Sequence, residues 1–342
     1  MTTPQIPASA SVVDRHDIDR SFEHIRQLVA NPDNGLFGPD TMMWHMVSPI
    51  PVVPLMLLEA ALLEAPHPHI AYGTLGSKSA TEFLPRFHRS ADAFYDWFYG
   101  DLDTALRTAR RVFGYHSRIN GTLPEDIGGY HRGQSYSAND QDVLIWVWAT
   151  FIRPLKEYYE HLHGKLLPAA VDRYYGECRR LALLFGIDQG RLPADWQSFL
   201  EYFDHFAASP VMDLSPEFLH RSSLLSGDVA GTWKARAATT WMLSVIAYRL
   251  PSNVRDQYPH LPSARRHRAL AVATLGMLRV AWPRIPRDLR ESPRYRVAWC
   301  RTAIECSSSR LSKWVAAKLP PPYSVSYRDA GVSGHGNPIR TS

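Results

Sequence analysis

The residues with the clearest chemical potential are a histidine and an upstream group of cations. His116 follows apolar residues at helical spacing, in a stretch that covers residues 110–121. Upstream, Arg86, Arg89 and Ser90 supply two cations and a hydroxyl. A neutral imidazole can ligate a metal ion or a haem iron, and nearby cations can hold carboxylates or steer an iron-bound oxygen species. If both clusters line one cavity, the sequence predicts a redox enzyme.

Each of these residues also has a purely structural interpretation. A lone helical histidine is more often structural than a ligand, and Arg86 and Arg89 can simply solvate the end of a helix. Ser90 has the residue type of an N-cap for the aromatic run that follows it, residues 94–99. The run itself is typical of core packing, although it can also line an apolar channel.

Other metal arrangements have weaker support in the sequence. His116 and His131 could in principle form a metal site across the glycine-rich loop, but nothing in the sequence fixes their geometry. Glu157, Glu160 and Glu177 resemble the carboxylates of di-iron bundles, yet the paired Glu-x-x-His motifs of such sites are absent from the sequence. We therefore expect no di-iron centre.

The composition restricts the class of protein. The chain has 342 residues, of which 45% are hydrophobic, enough for a sizeable core. Its net charge is +5, and the basic residues are spread along the chain, so we expect no nucleic-acid partner. The most apolar stretch, residues 49–63, is short and broken by prolines, so we expect no integral membrane segment.

The cysteines and the N-terminus indicate a cellular compartment. Cys178, Cys300 and Cys306 show no regular spacing, so we expect neither a disulfide framework nor a zinc site. The first residues lack the charged start and apolar run of a signal peptide. Together these observations predict a cytoplasmic protein.

Helical periodicity dominates the chain, and no run alternates with a period of two. The sequence therefore predicts an all-α fold, with one globular helical domain over residues 14–318 and disordered termini at residues 1–13 and 319–342. The predicted helices cover residues 17–31, 53–64, 101–116, 142–162, 168–185, 196–206, 239–250 and 264–281. Residues 120–134 are predicted to form a glycine-rich loop.

Several sequence pieces, taken in order, resemble one protein family. The resemblance covers roughly residues 36 to 205 and continues more weakly to about residue 290. The pieces are Phe37-Gly38-Pro39-Asp40, His67-Pro68, Arg86 to Ser90, Arg110-Arg111-Val112 leading to His116, Asn120-Gly121-Thr122, Tyr136-Ser137-Ala138-Asn139-Asp140, and the segment from Leu144 to Thr150. This ordered set resembles the bacterial latex-clearing rubber oxygenases and the fungal mycophenolic-acid oxygenase.

The resemblance implies a cofactor and roles for individual residues. Rubber oxygenases of this family hold a b-type haem within an all-helical fold. By the match, His116 would be the iron ligand, and Arg86, Arg89 and Ser90 would fall on the oxygen-binding side. Two departures stand out: many relatives have a histidine at the position of Trp148, and rubber oxygenases have an arginine at that of Phe113. Such changes would alter the hydrogen bonding around the haem.

The function predicted from this resemblance is a haem b-dependent oxidoreductase of oxygenase or peroxygenase type, active in secondary metabolism. Its partners would be a small apolar or aromatic substrate, dioxygen or peroxide, and an electron donor if the reaction requires one. His116 would anchor the iron, while Arg86 and Arg89 would stabilise negative charge on the bound oxygen. The alternative is a non-catalytic helical protein that retains the fold and binds a ligand or a partner.

Overall fold

The computed structural model of the chain describes residues 11–76, 83–221 and 232–302. Helices dominate these residues, and their sheet is limited to one two-stranded hairpin, so the predicted all-α fold is confirmed. The helices are α1 (Arg15–Leu28), α2 (Met42–Met46), α3 (Val52–Glu64), α4 (Pro68–Leu75), α5 (Phe83–Tyr99), α6 (Leu102–His116), α7 (Gln141–His163), α8 (Pro168–Leu183), α9 (Trp196–Ala207), α10 (Pro216–Arg221), α11 (Trp233–Arg249), α12 (Ser252–Arg255), α13 (Arg265–Ala281), α14 (Arg287–Arg290) and α15 (Pro293–Thr302). The strands are β1 (Asn120–Thr122) and β2 (Ser135–Ser137).

The core is built around α3 and α7, which pack against each other. α3 is apolar on every side and nearly all of its side chains are buried, as expected for a helix enclosed by its neighbours. α7 buries Trp146 and Trp148 completely. The indole N–H of Trp146 donates to the carbonyl of Leu63 over 3.2 Å. This contact fixes the C-terminal end of α3, where Glu64 lies.

α5 and α6 are packed neighbours that carry the predicted site residues. The aromatic run of α5 faces inward: Phe94 and Phe98 are fully buried, with ring centroids 4.7 Å apart. The prediction of core packing for this run is therefore confirmed. α6 begins after Asp101, whose carboxylate accepts a hydrogen bond from the Thr104 backbone N–H over 2.7 Å. Its last residue is His116.

A short hairpin follows α6 directly. β1 and β2 pair antiparallel, with Gly121 opposite Tyr136. Beyond the strands, the Leu123 N–H donates to the Gln134 carbonyl over 2.9 Å. The sequence predicted only a loop here, because strands of three residues are too short to show an alternating pattern. The hairpin joins the end of α6 to the start of α7.

The N-terminal segment docks on the body of the protein earlier than predicted. The Val13 N–H donates to the Asn139 carbonyl over 2.8 Å, so the predicted disorder does not extend to residue 13. Gly186, with a φ of +70°, lies under this segment, and a Cβ there would be 2.7 Å from Val13 Cγ1 and 2.9 Å from Ile18 Cδ1. Glycine is required by both the backbone conformation and the close approach. Residues 1–10 and 319–342 lie outside the described residues.

Two further expectations can be compared with the structure. Among the described residues, no helix is long and apolar enough to cross a bilayer, as the sequence predicted. Cys178 is free and buried, but Cys300, in α15, is disulfide-bonded. The irregular spacing of the cysteines gave no indication of this bond, since spacing alone does not report which residues the fold brings together.

Candidate active site

His116 occupies the C-terminal end of α6. Its backbone carbonyl accepts a hydrogen bond from the Ile119 N–H over 2.8 Å, so the turn after the helix holds this residue in place. The side chain is half-buried, and its ring forms no hydrogen bond with the described part of the chain. Burial, and then the positive charge of Arg86, lower the pKa of His116 to about 4. The imidazole is therefore neutral at physiological pH and has a free lone pair.

Arg86 is the cation that the fold places beside His116. It lies in α5, where the side chain is half-buried and Nη1 donates to Thr74 Oγ1 of α4 over 3.1 Å. Burial lowers the pKa of Arg86, but a guanidinium stays protonated at any physiological pH. Two of the predicted site residues, Arg86 and His116, thus lie close enough for the charge of one to act on the other.

Arg89 and Ser90 also lie in α5, at three and four positions after Arg86, and both side chains are exposed. The charge of Arg89 acts on Arg86. No described contact joins Ser90 to His116. The N-cap interpretation of Ser90 is wrong, because α5 starts at Phe83 and Ser90 is in its interior. The helix starts earlier because Leu84, Phe87 and Ala91 continue the helical spacing of the aromatic segment towards the N-terminus.

Glu64 is a candidate residue that the sequence analysis missed. It is the last residue of α3, and its Oε1 lies 2.8 Å from Thr150 Oγ1 of α7. Burial raises the pKa of Glu64 to about 7, against the opposing effects of the Thr150 hydrogen bond and the positive charge of Arg86. The available signal was a carboxyl group at the end of a helix whose only other charged residue is Glu59, but the neighbours of Glu64 could not be read from the sequence.

The hydroxyl of Thr150 determines how the Glu64 proton is held. Thr150 Oγ1 lies 2.7 Å from the Val147 carbonyl as well as 2.8 Å from Glu64 Oε1. One hydroxyl hydrogen can serve only one of these acceptors. When Glu64 is protonated it can donate to Thr150, which then donates to Val147. The arrangement therefore accommodates both protonation states of Glu64 without moving a heavy atom.

Comparison with known families decides the identity of this helical domain. A family model described as the catalytic domain of ER-bound oxygenase mpaB/B' and rubber oxygenase matches residues 44–282. The chain belongs to this oxygenase family. The match includes Glu64, Arg86 and His116, and confirms the resemblance drawn from the ordered motifs.

Two curated proteins that are similar to this chain come from mycobacteria. The uncharacterized proteins Mb2261 of Mycobacterium bovis and Rv2237 of Mycobacterium tuberculosis are each 33% identical to the chain over 88 residues. The aligned part is 26% of this chain and 32% of each relative, so the chain spans about a third of the length of the curated relatives it matches. No solved structure matches the chain.

The two departures from the family pattern are both accommodated by packing. Trp148 is fully buried, and its indole N–H donates to the Cys178 carbonyl of α8 over 2.8 Å. Phe113, one turn before His116, is half-buried and packs against the core. In this family member, the two positions therefore contribute aromatic packing.

The other histidines and carboxylates considered in the sequence have separate roles. His67 caps α4, its Nδ1 accepting from the His69 N–H over 3.2 Å, which confirms a structural role. His131 is exposed and lies 3.7 Å from Asp126. Glu157, Glu160 and Glu177 each have their own partners in the structure. The described residues hold no group of three or more metal-ligating side chains.

His116 meets the chemical requirement of a haem iron ligand. Haem iron needs only one side-chain ligand from the protein, and a neutral imidazole without a competing hydrogen bond meets that need. The adjacent guanidinium of Arg86 can pair with an anionic group of the cofactor or of bound oxygen. The fit rests on His116 and Arg86, and Arg86 in turn interacts electrostatically with the ionisable Glu64.

Proposed function

We propose that this oxygenase-family protein is a haem b-dependent oxidoreductase, of oxygenase or peroxygenase type, acting on a small apolar or aromatic molecule. The observation that carries the proposal is a neutral His116, free of hydrogen bonds to the described residues, beside the charged Arg86 in a member of this family. Haem, when bound, supplies the activation of dioxygen or peroxide.

His116 is proposed to hold the iron, since its depressed pKa keeps the lone pair available well below neutral pH. Arg86 is proposed to stabilise negative charge that develops on oxygen, because its guanidinium is already fixed by Thr74 and needs little reorganisation. Glu64, with a pKa of about 7, can hold or release a proton at the same site.

Arg89 and Ser90 are proposed to act at the edge of the site. They lie three and four positions after Arg86 in α5, and therefore share its helical face. Because both are exposed, they are suited to bind a polar edge of the cofactor or substrate rather than the iron itself. Phe113 lies close in sequence to the proposed iron ligand His116, at the position where rubber oxygenases have an arginine. An aromatic side chain in place of that cation supports an apolar substrate.

An absorption spectrum of the protein produced with added haem tests the proposal. We expect a Soret band in the wild type, its loss in His116→Ala, and its retention in His131→Ala, a control on an exposed histidine of the neighbouring loop. A wild type without a Soret band would exclude a haem protein. Bound haem that does not respond to oxygen, peroxide or reductant would support the non-catalytic alternative.

A further inference from the structure

The outward side of α13 is apolar where a surface helix is normally polar. Met277 and Val280 are 65% and 67% exposed, while Ala271 and Leu275 on the opposite side are buried. Ala269, Ala273 and Gly276, which are also exposed, lie near Met277 and Val280 by helical spacing. A solvent-facing stripe of this kind marks an interaction surface, because isolated surface helices place charges there.

α11 extends this surface. The Trp241 indole N–H donates to Thr274 Oγ1 over 2.8 Å, and the Arg268 guanidinium lies 5.3 Å from the centre of the Tyr248 ring. Later residues of α11 thus meet earlier residues of α13, so the helices run antiparallel. Trp233, at the start of α11 and 76% exposed, therefore lies at the end of the pair that carries Val280.

The surroundings of this surface are strongly basic. Between residues 229 and 287 the sequence has ten lysines and arginines and one acidic residue, Asp256. Three of these cations, Arg249, Arg255 and Arg287, are paired with carboxylates and do not contribute free charge to the surface. Four of the arginines, Arg265, Arg266, Arg268 and Arg279, project from α13. Each of them is exposed, and none forms an ion pair within the described residues. The surface therefore combines apolar side chains with unpaired positive charge.

We propose that this surface of α11 and α13, with Trp233, Met277 and Val280 at its apolar end, docks on an anionic lipid bilayer. Apolar and aromatic side chains on a basic helix insert into the interfacial region of a bilayer, while arginines bind lipid phosphates. A second copy of this chain would place arginine against arginine, so charge disfavours self-association. Docking needs no spanning helix, and it brings the protein to a phase that dissolves apolar compounds.

Vesicle co-sedimentation of the full-length chain tests this inference. We expect binding to phosphatidylcholine vesicles that contain phosphatidylserine, weak binding to phosphatidylcholine alone, and a loss of binding as salt is raised. The double variant Met277→Glu/Val280→Glu should bind at least about tenfold more weakly, since two buried contacts with lipid become charges. Leu167→Glu, on an apolar residue that is 76% exposed outside this surface, is the matched control.

A second set of variants tests the charges. Arg265→Gln, Arg268→Gln and Arg279→Gln should each weaken binding to anionic vesicles by about fivefold. Arg26→Gln, on α1, should leave it unchanged. The inference is overturned if the wild type ignores anionic vesicles, or if Met277→Glu/Val280→Glu binds them as the wild type does. A dimer that this double variant abolishes, without vesicle binding, would assign the surface to a second copy. Vesicle binding is measured without haem, so it stands apart from the proposed function.

Discussion

Burial acts in opposite directions on Glu64 and His116, and both shifts favour the neutral form. A carboxyl group loses its charge by binding a proton, so its pKa rises, whereas an imidazole loses its charge by releasing one, so its pKa falls. Arg86 lowers the pKa of both groups, because a cation favours an anionic carboxylate and disfavours an imidazolium. Burial thus favours the neutral forms of Glu64 and His116 beside the permanent charge of Arg86.

Glu64→Gln should change how stability depends on pH. The folded protein binds the Glu64 proton more tightly than the unfolded chain. The stability gained from this proton is fully present below the unfolded pKa of 4.5 and is lost as pH rises to about 7. Glutamine cannot ionise. We therefore expect the variant to gain stability relative to the wild type between about pH 5 and pH 8, by up to about 3 kcal/mol.

Urea unfolding at about pH 5 and at about pH 8 measures the stability difference between Glu64→Gln and the wild type. Glu23→Gln, on an exposed position of α1, is the control and should show the same pH dependence as the wild type. If the free energies of unfolding of Glu64→Gln and the wild type differ by the same amount at both pH values, Glu64 is ionised throughout the range.

Arg86→Gln should raise the pKa of His116. The guanidinium charge is the second cause of the depressed value, after burial, so its removal makes protonation easier. If haem binds through the neutral imidazole, the acid transition of the Soret band should move to higher pH in the variant. A pH titration of the absorption spectrum measures this shift. Arg89→Gln is the matched control, and an identical shift in both variants would contradict a specific role for Arg86.

At the scale of helices, a buried charge cluster joins α3, α7 and α11. Arg249 Nε lies 3.0 Å from Glu59 Oε2, and its Nη2 pairs with Glu157. The Tyr158 hydroxyl donates to Glu59 over 2.5 Å. Because these charges are hydrogen-bonded to one another, their attraction offsets the cost of removing them from water. Removal of one partner leaves an uncompensated buried charge. The cluster holds α11 against the helix that ends in Glu64.

Arg249→Ala should therefore destabilise the protein strongly, by about 3–5 kcal/mol. Arg255→Ala is the control, because the ion pair that Arg255 makes among the described residues is with the adjacent exposed Asp256, so its loss should cost less than about 1 kcal/mol. The free energy of unfolding from urea titrations gives both values. A loss of less than about 1 kcal/mol for Arg249→Ala would mean that the cluster contributes little to stability.

The sequence predicted the ends of helices well where the apolar pattern was long. The helices that became α3, α6, α7 and α13 were placed within one or two residues of their ends. α11 was predicted from residue 239 but starts at Trp233, because its first half is exposed and carries no apolar periodicity. Its start is marked instead by Thr232, whose Oγ1 accepts from the Ala235 N–H over 3.3 Å.

The site was predictable only in part. His116 and Arg86 were predicted from the ordered motifs, because each lies within a short sequence piece of the family resemblance. Glu64 depends on Thr150, and these residues are far apart in the chain. Its raised pKa arises from the packing of α3 on α7, which no local pattern encodes.

For the whole molecule, haem binding should raise the melting temperature. A ligand that binds only the folded state stabilises it by about 2.7 kcal/mol at a free concentration of 100 Kd. We expect this increase in the wild type and in His131→Ala, and its absence in His116→Ala. Thermal unfolding with and without added haem measures it. Equal stabilisation of His116→Ala would indicate haem binding elsewhere on the protein.

The loop of the hairpin after α6 has a docked tip and an exposed return. β1 and β2 close the chain directly after His116, and the backbone contact between Leu123 and Gln134 seals the base of the loop. At the tip, Ile127 and Tyr130 are buried, and the Gly128 N–H donates to Asp213 Oδ2 over 3.2 Å. The return of the loop, residues 131–134, is exposed, and Gly133 has open space at the position of a side chain. An insertion beside Gly133, rather than at the tip, is therefore the place to introduce a label or an epitope while the end of α6 keeps its position.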